Sequence, residues 1–573
     1  MAAAGLLAAV LVARLAYWQV LQHERIVLLA ARQHQVTVRL PAHRGNVLDR
    51  AGQILATDTP VYDIVALPDV IPASSREATA GALAPLLGID SRTIVGKLTM
   101  PLKFEYLKRK VDKDTADKID GLHLAGIARE TDSKRSYLPS PDAGPALVIP
   151  AGIKPLTLPG DRSLASNLLG FVNDDNHGQY GIEQFYDHVL NGVDGFESTL
   201  KDGAEQTIVL SDRKRVEPRN GQDLVLGIDS QVQYFAEKAL AAGVKRTGSE
   251  SGSVIVMDPR TGAIVAWADY PTFDANRFGQ SDPAYFTDPI VSSLYEPGSV
   301  MKVVTLSGGL DSGAITPTFT FNETGAISVG GYTIHDWDLK PHGNIDMTYV
   351  LAHSLNAGAV KVEQMEGGSK FYAYLNNFGI GRVTGIDIAG EVNRQLPPLK
   401  DAHASELATA SFGQGIAVTP IEMMTALNAI ADGGRLVKPH LVTGTRDPGT
   451  GVLTPTAVDP GVPAITPATD QQMTQMMVNV VEHGSGWTAK MDGWTNRIAG
   501  KTGTANIPEK GVYTDKVVAS FFGFMPAENP RFSMIVIMRK PQGGGFQQEG
   551  TFASAPVWKE IAQQILTQWQ ITP

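Results

Sequence analysis

Hydrophobic and polar positions change their spacing several times along the chain. Residues 2–13 are an uninterrupted run of Ala, Gly, Leu and Val, and the run resumes after Arg14. About 20 apolar residues suffice to cross a bilayer. We therefore expect a single membrane anchor over residues 1–21, with Tyr17 and Trp18 at the interface. A cleaved signal peptide or a buried helix is the alternative, and no basic flank sets the orientation.

The stretch after the anchor predicts a mixed domain over residues 22–222. Residues 22–40 keep helical spacing, whereas residues 61–67 alternate as a strand does. Residues 75–130 carry mixed helical patterns. Residues 139–163 are rich in Pro and Gly, which predicts a loop or an insertion.

A second, larger domain is predicted over residues 223–573. Its helices are expected after Asp229, after a capping box at Thr419 and Glu422, and from about Pro556 to the end. Its strands are expected as a hairpin over residues 253–268 and as two apolar runs, 517–524 and 531–538. A methionine stripe at helical spacing predicts a core helix (Met473, Met476, Met477, Val480, Val481). Strands at both ends with helices between them predict an α+β fold with a mainly antiparallel sheet.

Composition narrows the class of protein. The chain has 573 residues, which predicts two or three domains, and 43% hydrophobic residues, which is typical of globular proteins. A net charge of -10 without a sustained basic run argues against a nucleic-acid-binding protein. The absence of cysteine excludes disulfides, thiolate metal sites and cysteine nucleophiles.

Candidate chemistry centres on the segment Tyr295-Glu-Pro-Gly-Ser299-Val-Met-Lys302. If Pro297 and Gly298 open a helix, Ser299 and Lys302 share one face, so the amine can reach the hydroxyl. A serine hydroxyl needs a neighbouring base, and a lysine needs a lowered pKa to act as one. A second copy of the spacing, Ser211 to Lys214, lies in a polar segment and is expected to be solvated surface.

Two further motifs follow in the same domain. Ser354-Leu-Asn356 offers a hydroxyl and an amide, and Lys501-Thr-Gly-Thr504 offers an amine and two hydroxyls on a predicted edge strand. Gly503 would let a substrate backbone approach closely. The three motifs in this order are the signature of penicillin-binding proteins and class A β-lactamases.

Residues 223–570 resemble the transpeptidase domain of class B penicillin-binding proteins, which are membrane-anchored peptidoglycan D,D-transpeptidases. Arg44-Gly45, Asp49-Arg50 and Gly181-x-Glu183 resemble motifs of the N-terminal pedestal of that class. Ser411-Phe-Gly-Gln-Gly415 and the Glu-Pro-Gly before Ser299 resemble the cell-division and sporulation branch more than the elongation branch. Leu355, where serine or aspartate is usual, and the extra residues around 140–160 depart from the pattern.

The resemblance implies a role for each matching residue. Ser299 would be the nucleophile and Lys302 its base, with Lys501 lowering the pKa of Lys302 through its charge. Ser354 would relay a proton to the leaving amine. Further roles are substrate orientation by Asn356, carboxylate binding by Thr502 and Thr504 beside Gly503, and an oxyanion hole from the backbone N–H groups of Ser299 and Thr504.

The resemblance also implies the surroundings of the reaction. The substrates are stem peptides, the inhibitors are β-lactams, and no cofactor or metal is needed. No glycosyltransferase domain is visible, so a SEDS-family polymerase and divisome membrane proteins are the expected partners. The catalytic domain would lie outside the bacterial cytoplasmic membrane, held by one span.

Three alternatives stay open from the residues. A class A β-lactamase would need a deacylating glutamate, for which Glu391 is the candidate without the expected Leu-Asn after it. A β-lactam sensor would need more spans and a protease motif, which His23-Glu24 does not complete. A silent division scaffold would not label with penicillin.

The irregularly spaced His335, His342 and His353 predict loop or surface histidines, not a metal site.

Overall fold

The computed structural model describes residues 2–23, 25, 35–138, 163–200 and 214–572. Its α-helices are α1 Ala2–Ala16, α2 Arg76–Leu87, α3 Ser91–Leu98, α4 Lys113–Asp120, α5 Ser166–Leu169, α6 Gly181–Phe185, α7 Asp187–Leu190, α8 Ser230–Thr247, α9 Pro289–Ser292, α10 Lys302–Asp311, α11 Met347–His353, α12 Asn356–Glu366, α13 Gly368–Asn377, α14 Ala404–Ala410, α15 Pro420–Ala431, α16 Pro467–His483, α17 Gly550–Ala553 and α18 Ala555–Gln568.

Within the described residues, the strands form one sheet of seven strands, one of five, one of three and several of two. They are β1 Gln35–Leu40, β2 Val47–Leu48, β3 Ile54–Ala66, β4 Glu105–Val111, β5 Ile127–Tyr137, β6 Phe171–Val172, β7 Gly178–Gln179, β8 Gly195–Leu200, β9 Lys214–Val216, β10 Asp223–Leu226, β11 Ser251–Met257, β12 Ile264–Tyr270, β13 Thr320–Glu323, β14 Ala326–Val329, β15 Tyr332–His335, β16 Gly343–Asp346, β17 Arg435–Leu436, β18 Val442–Arg446, β19 Leu453–Pro455, β20 Val462–Pro463, β21 Ala499–Glu509, β22 Val512–Met525 and β23 Phe532–Arg539.

The chain forms two compact units. One takes its residues from Met1–Gly45 and His188–Gln222, and the other from Asn46–Asp187 and Asp223–Pro573. The first contains the antiparallel sheet β1-β8-β9. Strand β1 shows that the predicted helix over residues 22–40 is wrong at residues 35–40, where cross-strand pairing overrides the local pattern. The predicted domain bounds at residues 21 and 222 stay predictions.

The N-terminal apolar run forms α1, followed by a turn of π-helix over Tyr17–Leu21. Within the described ranges, no helix is both long and apolar enough to cross a membrane. The predicted insertion around residues 140–160 and Ser211 of the second Ser-x-x-Lys copy lie outside the described residues.

The five-stranded sheet β12-β11-β23-β22-β21 is antiparallel throughout and carries one of the hydrophobic cores of the second unit. Successive residues on each strand face opposite sides, so Val254 and Val256 pack toward α8 and α18 with Trp558. Helices α15 and α16 also contact this sheet. Because both faces are covered, the strands are continuous apolar runs and not alternating ones.

Most predicted elements of this unit are confirmed. The hairpin is β11 and β12, the capping box of Thr419 and Glu422 begins α15, and the methionine stripe is buried along α16. The final helix is α18, and β21 is an edge strand as predicted. The antiparallel sheet flanked by helices is therefore the observed architecture.

The pedestal motifs make buried contacts with residues far along the chain. The Asp49 carboxylate accepts from Ser230 Oγ at 2.7 Å and from the backbone N–H groups of Ala51 and Gln53, which ties a β-turn to the start of α8. In the other unit, Gly45 N–H donates to the carbonyl of Leu190 at 2.8 Å.

The third motif supplies a buried ion pair. Glu183 on α6 and Arg135 on β5 are almost entirely excluded from solvent, with Nε to Oε1 at 2.6 Å. Asp58 on β3 accepts a second bond from the same guanidinium at 3.1 Å. This network crosses from a helix to two paired strands, so it holds that part of the unit together.

Candidate active site

The nucleophile segment folds as a 3₁₀ turn, Gly298–Met301, that runs directly into α10. Ser299 lies in the turn and Lys302 is the first residue of the α-helix. The predicted shared face is observed, because Lys302 Nζ lies 3.0 Å from Ser299 Oγ.

The turn is braced by close backbone contacts that only glycines permit. Gly298 has a φ of +59°, and its N–H donates to the carbonyl of Gly413 at 3.0 Å. A Cβ atom on Gly413 would overlap the backbone of Gly298. Thr305 Oγ1 on α10 also donates to the carbonyl of Ser411 at 2.7 Å. The Ser411–Gly415 motif therefore packs against the turn that carries Ser299 and fixes its position.

Lys302 is fully buried and bonded on several sides. Its Nζ donates to Asn356 Oδ1 at 2.8 Å and to the main-chain carbonyl of Ser354 at 2.6 Å, with Ser354 Oγ at 3.4 Å. Burial lowers the pKa of Lys302 to about 7, and the nearby Asp336 carboxylate opposes that shift. A neutral amine is therefore accessible near neutral pH.

Ser354 occupies the bend between α11 and α12 with a φ of +58°. This left-handed conformation turns its carbonyl toward Lys302 while its hydroxyl accepts from Lys501 Nζ at 2.9 Å. Leu355, the departure from the family pattern, is fully buried, so its side chain contributes to the core and leaves Ser354 and Asn356 as the polar members.

Lys501 on edge strand β21 is as buried as Lys302. Its Nζ also donates to the carbonyl of Thr502 at 2.8 Å. Burial, and next the charge of Lys302, lower the pKa of Lys501 well below its usual range. The two amines are both in the site, but the predicted effect of Lys501 on Lys302 is wrong: burial lowers the pKa of Lys302, and the charge of Lys302 instead lowers the pKa of Lys501.

The substrate-side hydroxyls come from β21. Thr502 Oγ1 lies 2.7 Å from Ser485 Oγ, and Thr504 Oγ1 accepts from the N–H of Gly550 at 3.2 Å. The structure shows a packing role for Gly503 that was not predicted from the sequence. A Cβ there would overlap Ser520 Oγ and approach Pro297 O at 3.0 Å, so this glycine makes room for protein packing, and close approach of a substrate backbone stays a prediction.

These groups open into a cleft of about 440 Å³. It is lined by Ser299, Trp337, His353, Ser354, Asn356, Phe412, Gln414, Ser485, Trp487, Thr502, Thr504, Asn506, Phe546, Glu549, Thr551 and Phe552. His353 was predicted to be a loop or surface histidine, yet it lines this cleft and stacks on Tyr349 at 3.9 Å between ring centroids. His335 is exposed, and His342 Nε2 lies 3.3 Å from Asp338.

Sequence reasoning missed several contributors. Asp336 is buried behind Asn356 and accepts from the N–H of Ala357 at 2.9 Å, while Asn356 Nδ2 donates to the carbonyl of His335 at 3.0 Å. These bonds fix the start of α12 against the end of β15. The aromatic residues and Glu549 at the cleft carried no local signal, because they come from three segments far apart in the chain: Trp337, Trp487 and residues 546–552.

Glu391, the glutamate that a class A β-lactamase would need, is used elsewhere. Its carboxylate accepts from Thr384 N–H and Oγ1, both at 2.6 Å, and from Gly385 N–H at 3.0 Å. It closes a loop and does not line the cleft around Ser299.

Comparison with known proteins agrees with this geometry. The penicillin-binding protein transpeptidase domain matches residues 252–563, and the penicillin-binding protein dimerisation domain matches residues 39–226. Stage V sporulation protein D of Bacillus subtilis is 29% identical over 98% of this chain and 83% of its own length. Peptidoglycan D,D-transpeptidase FtsI of Escherichia coli is 28% identical over 99% of this chain and 90% of its own length.

A solved structure extends the likeness to three dimensions. Penicillin-binding protein 3 from Mycobacterium tuberculosis, complexed with aztreonam, superposes with a TM-score of 0.69 at 25% identity, covering 94% of this chain and 98% of that one. The transpeptidase match alone covers more than half of the 573 residues. The chain therefore belongs to the class B penicillin-binding proteins.

Proposed function

We propose that this protein is a serine-type peptidoglycan D,D-transpeptidase that cross-links stem peptides in septal wall synthesis and is inhibited by β-lactams. The observation that carries the proposal is the buried Lys302 Nζ, 3.0 Å from Ser299 Oγ, with a pKa lowered to about 7. The names of the relatives, a D,D-transpeptidase and a sporulation protein, support the activity and the division and sporulation branch.

Acylation begins when Lys302 takes the proton of Ser299. The Oγ atom then bonds to the carbonyl carbon of the penultimate D-alanine of the donor peptide, and the developing oxyanion is met by the backbone N–H groups of Ser299 and Thr504. The bond from that carbon to the nitrogen of the terminal D-alanine breaks. Ser354 Oγ, 3.4 Å from Lys302 Nζ, relays the proton to the leaving amine.

The donor carboxylate is held by the cationic end of the cleft. A bound carboxylate favours the protonated form of Lys501, against the burial that lowers its pKa, and the hydroxyls of Thr502 and Thr504 supply hydrogen bonds. An amine of a second stem peptide then attacks the ester carbon, the bond to Ser299 Oγ breaks, and the serine recovers its proton. Asn356 Oδ1 accepts a hydrogen bond from Lys302 Nζ at 2.8 Å, so Asn356 orients the Lys302 amine. Its side chain also orients the substrate amide.

Labelling with a fluorescent penicillin tests the activity. We expect a stable adduct on Ser299, located by mass spectrometry, that is lost in Ser299→Ala. Rapid turnover of nitrocefin without an accumulated adduct would support a β-lactamase and contradict the proposal. An unlabelled wild-type protein would support a silent scaffold.

We further propose that residues 1–21 anchor the chain in the cytoplasmic membrane with the catalytic domain outside it. Glycan strands would come from a SEDS-family polymerase that contacts the N-terminal part together with divisome membrane proteins. Complementation of a division-transpeptidase depletion strain, scored by septation, tests the cellular role. Rescue of rod shape alone would assign the protein to elongation.

A further inference from the structure

Four aromatic side chains stand at the mouth of the cleft in two edge-to-face pairs. Trp337 and Phe546 have ring centroids 6.0 Å apart, and Trp487 and Phe552 have centroids 6.2 Å apart, both at 82°. Each ring is at least 40% exposed. Large exposed apolar rings gathered at a cleft indicate contact with a ligand.

Glu549 lies where the catalytic cleft meets a second depression. That depression has a volume of about 480 Å³ and shares Trp337, Phe546 and Glu549 with the cleft; it is completed by Asp338, Lys340 and Gly545. A substrate seated at Ser299 can therefore extend a side chain past Glu549 without leaving the protein surface.

Among the described residues, none donates a hydrogen bond to the Glu549 carboxylate. It precedes α17 at the N-cap position, where a carboxylate usually accepts backbone N–H groups, yet it makes no such bond. Throughout the described ranges, no cation forms an ion pair with it. It is half-buried, and burial raises its pKa. By contrast, Glu296 near the nucleophile accepts from Tyr513 OH at 3.1 Å.

We propose that Glu549 and the aromatic rings around it bind an ammonium group carried by the side chain of the donor stem peptide. A partly desolvated carboxylate gains a charge-assisted hydrogen bond from an ammonium, and faces of Trp and Phe favour cations and their methylene groups. Lys340 lines the second depression and not the catalytic cleft. Because its positive charge repels an ammonium, the ammonium is expected on the cleft side of Glu549. This assignment rests on the proposed transpeptidase function.

The charges of the cleft suit such a substrate. Lys302 and Lys501 lie near Ser299, and Glu549 lines the same cleft next to Gly550, whose N–H bonds Thr504 Oγ1 at 3.2 Å. A peptide with a terminal carboxylate and a side-chain ammonium would therefore find a partner of opposite charge for each group. A neutral side chain would lose one of the two contacts.

Two penicillins that differ by one ammonium test the proposal. Ampicillin carries the ammonium next to its phenyl ring, and benzylpenicillin does not. We expect Glu549→Gln to lower the ratio of their acylation rate constants (ampicillin over benzylpenicillin) by about fivefold, because a general effect of the lost charge on both anionic penicillins cancels in the ratio. Sodium chloride should lower the ratio in the wild type and not in the variant.

Glu509→Gln is the matched control. Glu509 is an exposed carboxylate on β21 that pairs with Lys516 and does not line the cleft, and its loss changes the net charge equally. An unchanged ratio in Glu549→Gln, or an equal fall in both variants, would overturn the proposal. Failure of both penicillins to acylate the wild type would instead contradict the proposed function.

A peptide donor distinguishes an ammonium on the donor stem peptide from an ammonium on the acceptor. D-alanine release from a stem pentapeptide with a free side-chain amine should fall in Glu549→Gln, whereas release from the acetylated peptide should not. If release is unchanged and only transfer to an acceptor amine falls, the donor assignment is wrong.

Discussion

Lys302 holds its Nζ 3.0 Å from Ser299 Oγ while its whole side chain is excluded from solvent. Both parts of this relationship matter for chemistry. The distance allows proton transfer, and the burial lowers the pKa of Lys302 to about 7, so that the amine is partly neutral at physiological pH.

The acylation rate should therefore depend on pH through Lys302. Only the neutral amine accepts the proton of Ser299, so the rate constant for benzylpenicillin should rise as pH increases through about 7 and level off above it. Well below that pH it should fall about tenfold per unit. Stopped-flow acylation between pH 5 and 9 measures this. Lys302→Ala should not acylate, and acylation at the wild-type rate would contradict the assignment of the base.

Asp336 should shift the pH dependence of the acylation rate through its effect on the pKa of Lys302. Its carboxylate raises the pKa of Lys302, opposing burial, so Asp336→Asn should move the rising limb to lower pH by a fraction of a unit. Asparagine can still accept the N–H bond of Ala357, which Asp336 receives at 2.9 Å. A limb that moved to higher pH would show that the carboxylate acts in another way.

Lys501 should contribute to binding and to acylation. It bonds Ser354 Oγ at 2.9 Å, and it carries positive charge at the carboxylate-binding end once a bound carboxylate favours its protonated form. Lys501→Ala should lower the acylation rate constant about 10²- to 10³-fold, comparable with removal of an oxyanion-hole donor. Lys501→Arg should retain more activity because the charge remains. Equal activity of Lys501→Ala and wild type would exclude this role.

Gly503 offers a test of packing near the nucleophile. Gly503→Ala should destabilise the protein by about 1–3 kcal/mol, because its Cβ would overlap Ser520 Oγ. Adding Ser520→Ala should restore part of that loss. Gly96→Ala, in helix α3 with open space around the Cβ, is the control and should be neutral or stabilising. Thermal unfolding of the three variants and the wild type, measured by circular dichroism, decides the matter. A stable Gly503→Ala with reduced penicillin binding would instead support substrate approach.

The buried pair of Arg135 and Glu183 should matter more for stability than an exposed pair. Glu183→Ala leaves the guanidinium buried with only part of its charge compensated, which should cost about 3–5 kcal/mol. Glu217→Ala breaks an exposed pair with Arg215 and should cost less than about 1 kcal/mol. Equal shifts in the unfolding midpoint would contradict the difference in burial.

The sequence by itself determined the features that depend on local spacing. Ser299 and Lys302 are three residues apart, so a helical turn alone brings them together. The capping box at Thr419 and the methionine stripe of α16 likewise carry their structure in their spacing. The order of three short motifs was enough to indicate the family.

Only the tertiary structure decided what depends on contacts between distant segments. The carbonyl of Ser354 reaches Lys302 because of a left-handed bend, and Asp336 influences the amine through a neighbouring strand end. Strand β1 replaced a predicted helix because its hydrogen bonds go to β8, more than 150 residues away. Burial of Lys302, the packing role of Gly503 and the unpaired Glu549 all follow from neighbours that no local pattern specifies, because solvent exclusion is a property of the folded chain.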